Sequence, residues 1–441
     1  MRQRESLAPV RMERVALVVP EQNRRQMLVD LAASAVVELD LPYTPGNDAD
    51  ELDKAAAAFI VSGPSAALVG WTPQREIPAL EATLAPLGAA VVPLPRPRWI
   101  QPPTMLAGGD RSRVSRTLVD TYGTVPYADL DPSRLAGIAY VLMFGMMFGD
   151  VGHGAVLLAV GLLLRSGRIK KLAKLQRTWL FVTGAGLAAM VFGALYGEAF
   201  GPTGLIPVLW LEPLANPVPL LVAGLGVGAF LLAGAYAIGT INRVREGGWG
   251  YALYSRSGIA GSLLFVAVGL LVWGLGTGTA ILTAAAVVVS LAALVFIFIG
   301  LFVEAGGGAT AGFQAVIELV DTVIRLGSNL VSFARLAAFG LTHAALLMVV
   351  WNGTTALWAP DWRAAAAIVL FIVGNAVTFA LEALVAGIQA LRLEYYELFS
   401  RIFQSEGRPF TPWSPELTAA SGPGDDSSSA PSGLPAERQL L

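Results

Sequence analysis

Long apolar runs occupy the chain from residue 135 to about residue 403, with few charged residues inside them. Four of the runs each reach the roughly 20 residues that a membrane-spanning helix needs. They cover residues 179–200, 218–241, 257–275 and 279–303. Two later runs, 327–358 and 363–403, are longer than a perpendicular crossing requires, so we expect the last two helices to be long and tilted.

The first apolar run, residues 135–164, predicts two short helices instead of one. A single helix would extend about 45 Å, whereas the hydrocarbon core is only about 30 Å thick. A group of glycines with one acid and one histidine interrupts its middle: Gly149, Asp150, Gly152, His153 and Gly154. Because the flanking segments are basic, both should stay in the cytoplasm, and the run should enter the membrane and return. The expectation is about eight transmembrane helices with cytoplasmic N- and C-termini.

Residues 10–97 alternate strand-like and helix-like segments. Strands are predicted at 15–19, 36–41, 66–71 and 89–94, and helices at 21–35 and 73–87. Two β-α-β units in about 90 residues favour a small ferredoxin-like α/β fold. Only a short polar and alanine-rich stretch, residues 47–58, lies between the two units.

These patterns predict a mostly α-helical, polytopic membrane protein with a small N-terminal cytosolic α/β domain. The predicted parts are a cytosolic domain at 1–97, a linker at 98–134, a membrane domain at 135–413 and a tail at 414–441. The tail is rich in Ser, Pro, Gly and Asp and is expected to be disordered. The arginine-rich first thirty residues contain no apolar stretch, so no cleaved signal peptide is expected.

Composition supports this class and narrows the chemistry. Hydrophobic residues make up 55% of the chain and charged residues 14%, which is typical of polytopic membrane proteins. The net charge of −2 gives no indication of nucleic-acid binding, and the absence of cysteine excludes disulfides, thiolate zinc sites and iron–sulfur clusters. No cofactor is expected, and Asp150 with His153 offers too few ligands for a metal. These two residues are expected to stabilise the helix break.

The polar residues inside the last two apolar runs include Arg335 and His343, then Glu382, Gln389 and Arg392. A guanidinium at bilayer depth costs at least about 2.5–3.5 kcal/mol and cannot be relieved by deprotonation. Arg335 is therefore expected to act as a fixed positive charge that faces a partner's carboxylate. His343 lies about 12 Å along the helix from Arg335, and Arg392 about 15 Å along from Glu382. Polar groups spread over this depth favour a proton route over a single pocket.

Structural interpretations of the same residues stay open. Arg335 could form an ion pair with Glu382, and Glu382 could be a buried protonated acid bonded to a neighbour. His343 could hydrogen-bond a helix carbonyl. Arg392 could extend along the helix to the cytoplasmic interface.

Three membrane segments resemble subunit a of V/A-type rotary ATPases, called subunit I in prokaryotes. They are Met143-Phe-Gly-Met-Met-Phe-Gly-Asp-Val-Gly-His-Gly154, Ser332-Phe-Ala-Arg-Leu-Ala-Ala-Phe-Gly-Leu-Thr-His-Ala344 and residues 381–394, continuing to Phe410-Thr-Pro-Trp413. Residues 9–15 and 70–73 are more weakly similar to the two lobes of that family's cytosolic domain. The resemblance covers nearly the whole chain to about Trp413.

The resemblance implies a non-catalytic subunit of an ion-translocating rotary ATPase in a prokaryotic cell membrane. Its implied partners are a ring of proteolipid c subunits, the peripheral and central stalk subunits and membrane lipid. Carried over, Arg335 faces the ring carboxylate, while His343, Glu382, Gln389 and Arg392 line or border two half-channels. The chain has no Gly-x-x-x-x-Gly-Lys-Ser/Thr loop, so ATP chemistry belongs to another subunit.

One departure concerns the cytosolic domain. Family members normally place long coiled-coil arms between its two lobes, whereas only residues 47–58 occupy that place here. Two other classes of protein stay open. A secondary transporter would explain a broken helix, although no second copy of the break is visible in the sequence. A membrane anchor or assembly protein would explain the short cytosolic domain but has no use for Arg335.

Overall fold

The computed structural model describes residues 8–41, 51–96, 100–106, 113–168, 175–403 and 407–415. The chain separates into two compact units. The small unit comprises Arg14–Leu94 and Pro412–Leu441, and the large unit comprises Met1–Glu13 and Pro95–Thr411. Most of the predicted tail at 414–441 lies outside the described residues, as do parts of the predicted linker.

The small unit is built on a sheet with the strand order β2-β4-β1-β5, and β3 pairs with β4. Its strands are β1 (Met12–Pro20), β2 (Glu38–Leu39), β3 (Ile60–Ser62), β4 (Ser65–Pro73) and β5 (Ala90–Pro93). Its helices are α1 (Arg24–Ser34), α2 (Glu51–Ala57) and α3 (Ile77–Leu84). Side chains along β4 alternate between buried and half-buried through Gly70, so apolar residues such as Leu68 pack against buried α1 residues in one core.

The structure changes two details of the predicted α/β domain. The strand expected at 36–41 is confined to Glu38–Leu39. The structure also contains β3, an exposed strand that was not predicted. Gly63 adopts a φ of 60° in the β3–β4 turn. In the predicted short stretch, residues 51–57 form α2 and residues 47–50 lie outside the described part.

Ten α-helices of four or more residues are described in the large unit. The helices are α4 (Arg113–Tyr122), α5 (Ser133–Met147), α6 (Val151–Ser166), α7 (Trp179–Tyr196), α8 (Pro217–Tyr254), α9 (Ile259–Thr277), α10 (Ala280–Glu304), α11 (Ala309–Ser332), α12 (Ala334–Leu357) and α13 (Trp362–Leu393). A π-helical turn (Glu394–Phe399) and α14 (Ser400–Ile402) follow. If α11 and α12 are counted as one helix, six of the described helices are long and apolar enough to cross a membrane. Helices α5 and α6 are also apolar but are shorter.

The first apolar run forms two helices, as predicted, but the break between them is shorter than expected. Helix α5 ends at Met147 and Asp150 caps α6, so Gly152, His153 and Gly154 lie in the first turn of α6 and not in a loop. A Cβ atom on Gly154 would meet the backbone of α7, and one on Gly152 would meet the ring of Phe200. These glycines therefore permit close packing of α6 on its neighbours.

The segment at 304–326, which lies between the apolar runs 279–303 and 327–358, is mostly the helix α11. Its polar residues Gln314, Glu318, Asp321 and Arg325 recur every three or four positions. They form one face of a helix, on which Gln314 bonds Glu318 and Asp321 pairs with Arg325. The charges therefore mark an amphipathic helix and not a loop.

Candidate functional site

Arg335 lies in the first turn of α12, directly after the junction with α11 at Phe333. The ring of Phe333 is fully buried and occupies space that a Cβ atom on Gly228 of α8 would fill. This contact holds the junction, and with it Arg335, against α8. Arg335 is half-buried, and its Nη1 atom is buried without a hydrogen-bond partner among the described residues.

No ion pair joins Arg335 to Glu382 within the described part of the chain. The structural interpretation of Arg335 as the partner of Glu382 is therefore not supported. Arg392 repels Arg335 electrostatically and Glu397 attracts it. Glu382 is 5% exposed, and its Oε2 atom, like Oε1 of Gln389, has no described hydrogen-bond partner. Arg392 is exposed.

A polar network at the end of the last helix was not anticipated from the sequence. Asn329, with its amide oriented to satisfy both neighbours, donates to Oε2 of Glu397 at 3.1 Å and accepts from Nη2 of Arg401 at 2.7 Å. The Arg401 guanidinium also lies over the ring of Tyr236, 5.5 Å from its centroid. Glu394 and Glu397 belong to the π-helical turn, a rare conformation that is frequent at functional sites.

The structure brings together the only two histidines of the chain. The ring centroids of His153 and His343 lie 5.5 Å apart, and each residue is 1% exposed. Phe148 packs against both rings, with centroid distances of 5.7 and 4.8 Å. None of the four ring nitrogens has a hydrogen-bond partner that meets the usual geometric criteria in the described structure. The interpretation of His343 as bonded to a helix carbonyl is therefore not supported.

Asp150, in contrast, is fully satisfied. Its carboxylate accepts hydrogen bonds from the backbone N–H groups of His153 (2.8 Å), Phe200 (3.0 Å) and Gly201 (2.9 Å). It therefore caps α6 and also fixes the loop after α7, as its predicted role in stabilising the break requires. Glu198 in that loop is buried, which raises its pKa to about 8, and the nearby Asp150 and Glu212 charges act in the same direction.

A second buried charge cluster attaches the segment before α5 to α8. Arg243 pairs with Glu246 at 2.6 Å, and its other terminal nitrogen lies 3.9 Å from Asp129. Burial raises the pKa of Asp129 to about 8, and Glu246 adds to this shift while Arg243 opposes it. The cluster thus places one cation beside two carboxyl groups, and the raised pKa of Asp129 favours its neutral form. The backbone N–H of Leu130 also donates to the Asn242 side chain at 3.0 Å.

The described residues include no group of three or more His, Asp or Glu side chains that could hold a metal ion. Apolar helices that surround a partly unsatisfied arginine, two facing histidines and buried carboxyl groups are typical of a multi-pass membrane protein with polar groups in its interior.

Comparison with known proteins finds similarity to one family. A model described as the V-type ATPase 116kDa subunit family matches residues 61–203. The chain is 29% identical to the A-type ATP synthase subunit I of Aeropyrum pernix over 344 residues. This match covers 67% of this chain and 49% of that protein. It is 25% identical over 367 residues to the protein of the same name from Thermococcus kodakarensis, covering 79% and 54%. A V-type ATP synthase subunit I 2 of Treponema pallidum is 32% identical over 167 residues, 36% of each chain.

These matches support a place for the chain in the V/A-type ATPase subunit a family, called subunit I in prokaryotes, as its membrane motifs suggested. It spans about half the length of the curated relatives that it matches.

Proposed function

We propose that this chain is the ion-translocating stator subunit of a V/A-type ATPase and provides two proton half-channels beside a rotating proteolipid ring. The observation that carries the proposal is Arg335, whose partly unsatisfied guanidinium lies among apolar helices without a carboxylate ion pair in the described structure. Such a charge is costly in a membrane and is retained where it has a use. A carboxylate on a partner subunit would supply the missing interaction.

The mechanism follows from electrostatics. A ring carboxylate takes up a proton from one half-channel, passes through lipid in its neutral form and releases the proton into the other. Arg335 attracts the ionised carboxylate, an attraction that a low-dielectric surrounding strengthens, and it blocks direct proton leakage between the channels. His343 lies eight positions after Arg335 on α12, and Glu382, Gln389 and Arg392 lie along α13, which packs against α12.

The proposed topology has eight membrane helices with both termini in the cytoplasm of a prokaryotic cell. Its support is the set of six long apolar helices, the short pair α5–α6 and the basic residues at the ends of that pair. The small unit would be a ferredoxin-like cytosolic domain, which its strand order supports. Its partners would be peripheral and central stalk subunits. Because the described residues between Leu41 and Ala66 contain only α2, β3 and turns, we expect at most one stalk contact.

The test is ATP-driven proton pumping by vesicles that contain the assembled complex. Arg335→Ala and Arg335→Lys should both abolish pumping, because lysine lacks the planar guanidinium and loses its proton more readily when desolvated. Arg325→Ala is the matched control: this arginine is 68% exposed on the neighbouring helix and pairs with Asp321, so pumping should stay near the wild-type rate.

Near wild-type pumping by an assembled complex with Arg335→Ala would refute the proposed mechanism. Copurification with a ring of small proteolipids separates the proposal from a secondary transporter, which needs no ring. The Arg335→Ala result then separates it from an anchor protein, which needs no arginine.

A further inference from the structure

A cavity of about 530 Å³ lies between the C-terminal ends of α8 and α10. Its volume falls within the roughly 300–1,000 Å³ that is usual for small-molecule sites. Ile299 and Val303, near the end of α10, contribute apolar surface to it. Tyr254 at the end of α8, Arg256 just after it and Glu304 at the end of α10 contribute polar groups. The described lining of the cavity thus combines apolar surface with one charge of each sign.

The end of α8 has the features of a helix that reaches a membrane surface. Gly248 interrupts the regular helix with a φ of 77°, which side chains other than glycine rarely adopt. Trp249 and Tyr251 follow it and are 73% and 48% exposed. Tryptophan and tyrosine are enriched where a membrane meets water. In the proposed topology this end of α8 is cytoplasmic, so the cavity lies at the level of the lipid headgroups of the inner leaflet.

The two charged groups of the cavity differ in their protein partners. A terminal nitrogen of Arg256 lies 3.4 Å from a carboxylate oxygen of Glu318 on α11, and both side chains are partly exposed. A guanidinium has five N–H donors in a planar fork, so this ion pair leaves other donors for a phosphate. Glu304 has no ion pair among the described residues, so its carboxylate can accept hydrogen bonds from a ligand.

This pair of charges selects among lipid headgroups. A basic pocket would favour an anionic lipid, but here the acid would repel such a headgroup. A zwitterionic headgroup carries a phosphate and an ammonium on a short flexible bridge, so it matches both groups. A primary ammonium also donates hydrogen bonds to a carboxylate, which the quaternary ammonium of a choline lipid cannot do.

The surface of α10 next to the cavity offers a place for the acyl chains. Val295, Ile299 and Val303 are four positions apart and therefore share one face of the helix. They are 56%, 40% and 69% exposed, so this apolar face is not covered by other helices of the chain. An amphiphile with its headgroup in the cavity can extend its acyl chains along this face.

We propose that this cavity binds a phospholipid with a phosphoethanolamine headgroup, with Arg256 at the phosphate and Glu304 at the ammonium. The bound lipid lies beside the ion pair that joins the segment after α8 to α11. The inference goes beyond the proposed proton transport and does not depend on it, because binding is measured without pumping.

Native mass spectrometry of the full purified chain tests the headgroup selectivity. Phosphatidylethanolamine, phosphatidylglycerol and phosphatidylcholine with identical acyl chains are added in turn, and the Kd of each lipid is measured. The wild type should bind phosphatidylethanolamine at least about tenfold more tightly than either of the others, the effect of one charge-assisted hydrogen bond. Equal affinities for the three lipids, or a preference for phosphatidylglycerol or phosphatidylcholine, would overturn the proposal.

Substitutions locate the selectivity in the cavity. Glu304→Gln should weaken phosphatidylethanolamine binding about tenfold and leave phosphatidylglycerol binding unchanged or tighter, whereas Arg256→Gln should weaken both. Arg325→Gln and Asp321→Asn alter an exposed ion pair of α11 and are the matched controls, for which both affinities should stay within about twofold of wild type. Wild-type selectivity in Glu304→Gln would overturn the assignment.

Glu318→Gln separates lipid binding from a purely structural role of Arg256. This variant removes the ion pair but keeps the guanidinium, so phosphatidylethanolamine should bind at least as tightly as to the wild type. A loss as large as that of Arg256→Gln would show that the ion pair only shapes the protein, and the assignment of Arg256 to the phosphate would be wrong.

Discussion

Replacing Asp150 by alanine is expected to destabilise the large unit severely. The side chain accepts three backbone hydrogen bonds, at 2.8, 3.0 and 2.9 Å, and the residue is fully buried. Each N–H group left without a partner costs about 1–3 kcal/mol, so the loss amounts to about 3–9 kcal/mol. Typical unfolding free energies are about 5–15 kcal/mol, and the variant therefore should be recovered in low yield or with a much lower unfolding temperature.

A matched control exists at the start of α13. Asp361 is also a helix N-cap, but it is exposed and accepts one hydrogen bond, from the N–H of Arg363 at 2.8 Å. Its replacement by alanine should cost about 1 kcal/mol. Thermal unfolding of each purified chain in detergent, followed by tryptophan fluorescence, measures the difference.

Asp150→Asn keeps one acceptor oxygen and should fall between the wild type and Asp150→Ala. This variant gives a measurable result if the alanine variant does not fold. Equal and small decreases in unfolding temperature for Asp150→Ala and Asp361→Ala would refute the assignment of Asp150 as the anchor of the α5–α6 turn.

Three further predictions concern transport, topology and pH. Glu382→Gln should slow ATP-driven pumping with little change in unfolding temperature, because glutamine fills the same volume but cannot carry a proton; unchanged pumping would make Glu382 structural. In this cysteine-free chain, Arg134→Cys and Arg168→Cys should both react with a reagent applied from the cytoplasmic side, and labelling from opposite sides would refute the fold-back topology. Folding raises the pKa of Asp129 from 3.8 to about 8, so its stabilising effect is complete below about pH 4 and is lost as the pH rises through 8. As the pH rises over this range, the unfolding temperature should therefore fall less for Asp129→Asn than for the wild type. An equal fall in both proteins would contradict the raised pKa of Asp129.

The long helices and the division of the first apolar run into two helices could be predicted from the sequence because their signals are local. A run of about 20 apolar residues is sufficient to predict a membrane-spanning helix. Residues 135–164 are too many for a single helix across the hydrocarbon core, so two shorter helices are expected. Helix α11 was not among the predicted helices, because its polar residues interrupt the apolar pattern. The strand β3 was also not predicted, because its three exposed residues carry no alternating pattern.

The arrangement of the site depends on contacts that no local pattern encodes. His153 and His343 are far apart in the sequence, and their proximity results from the packing of α5 against α12 and α13, which brings the first turn of α6 to His343. The position of Arg335 depends similarly on Phe333, which enters the space left by Gly228. The residue types of the candidate site were therefore visible in the sequence, whereas the division into an arginine, a histidine pair and the Asn329–Glu397–Arg401 network required the fold.

The hydrogen bonds of Asp150 also have a consequence for the order in which the chain is assembled in the membrane. Two of its three donors, Phe200 and Gly201, follow it by 50 and 51 positions, beyond the end of α7. During synthesis the hairpin of α5 and α6 therefore leaves the ribosome before most of its stabilising contacts exist. We expect the hairpin to become protease-resistant only after α7 has inserted and residues 198–201 have reached the far side. Nascent chains stalled before and after Gly201 would reveal this order.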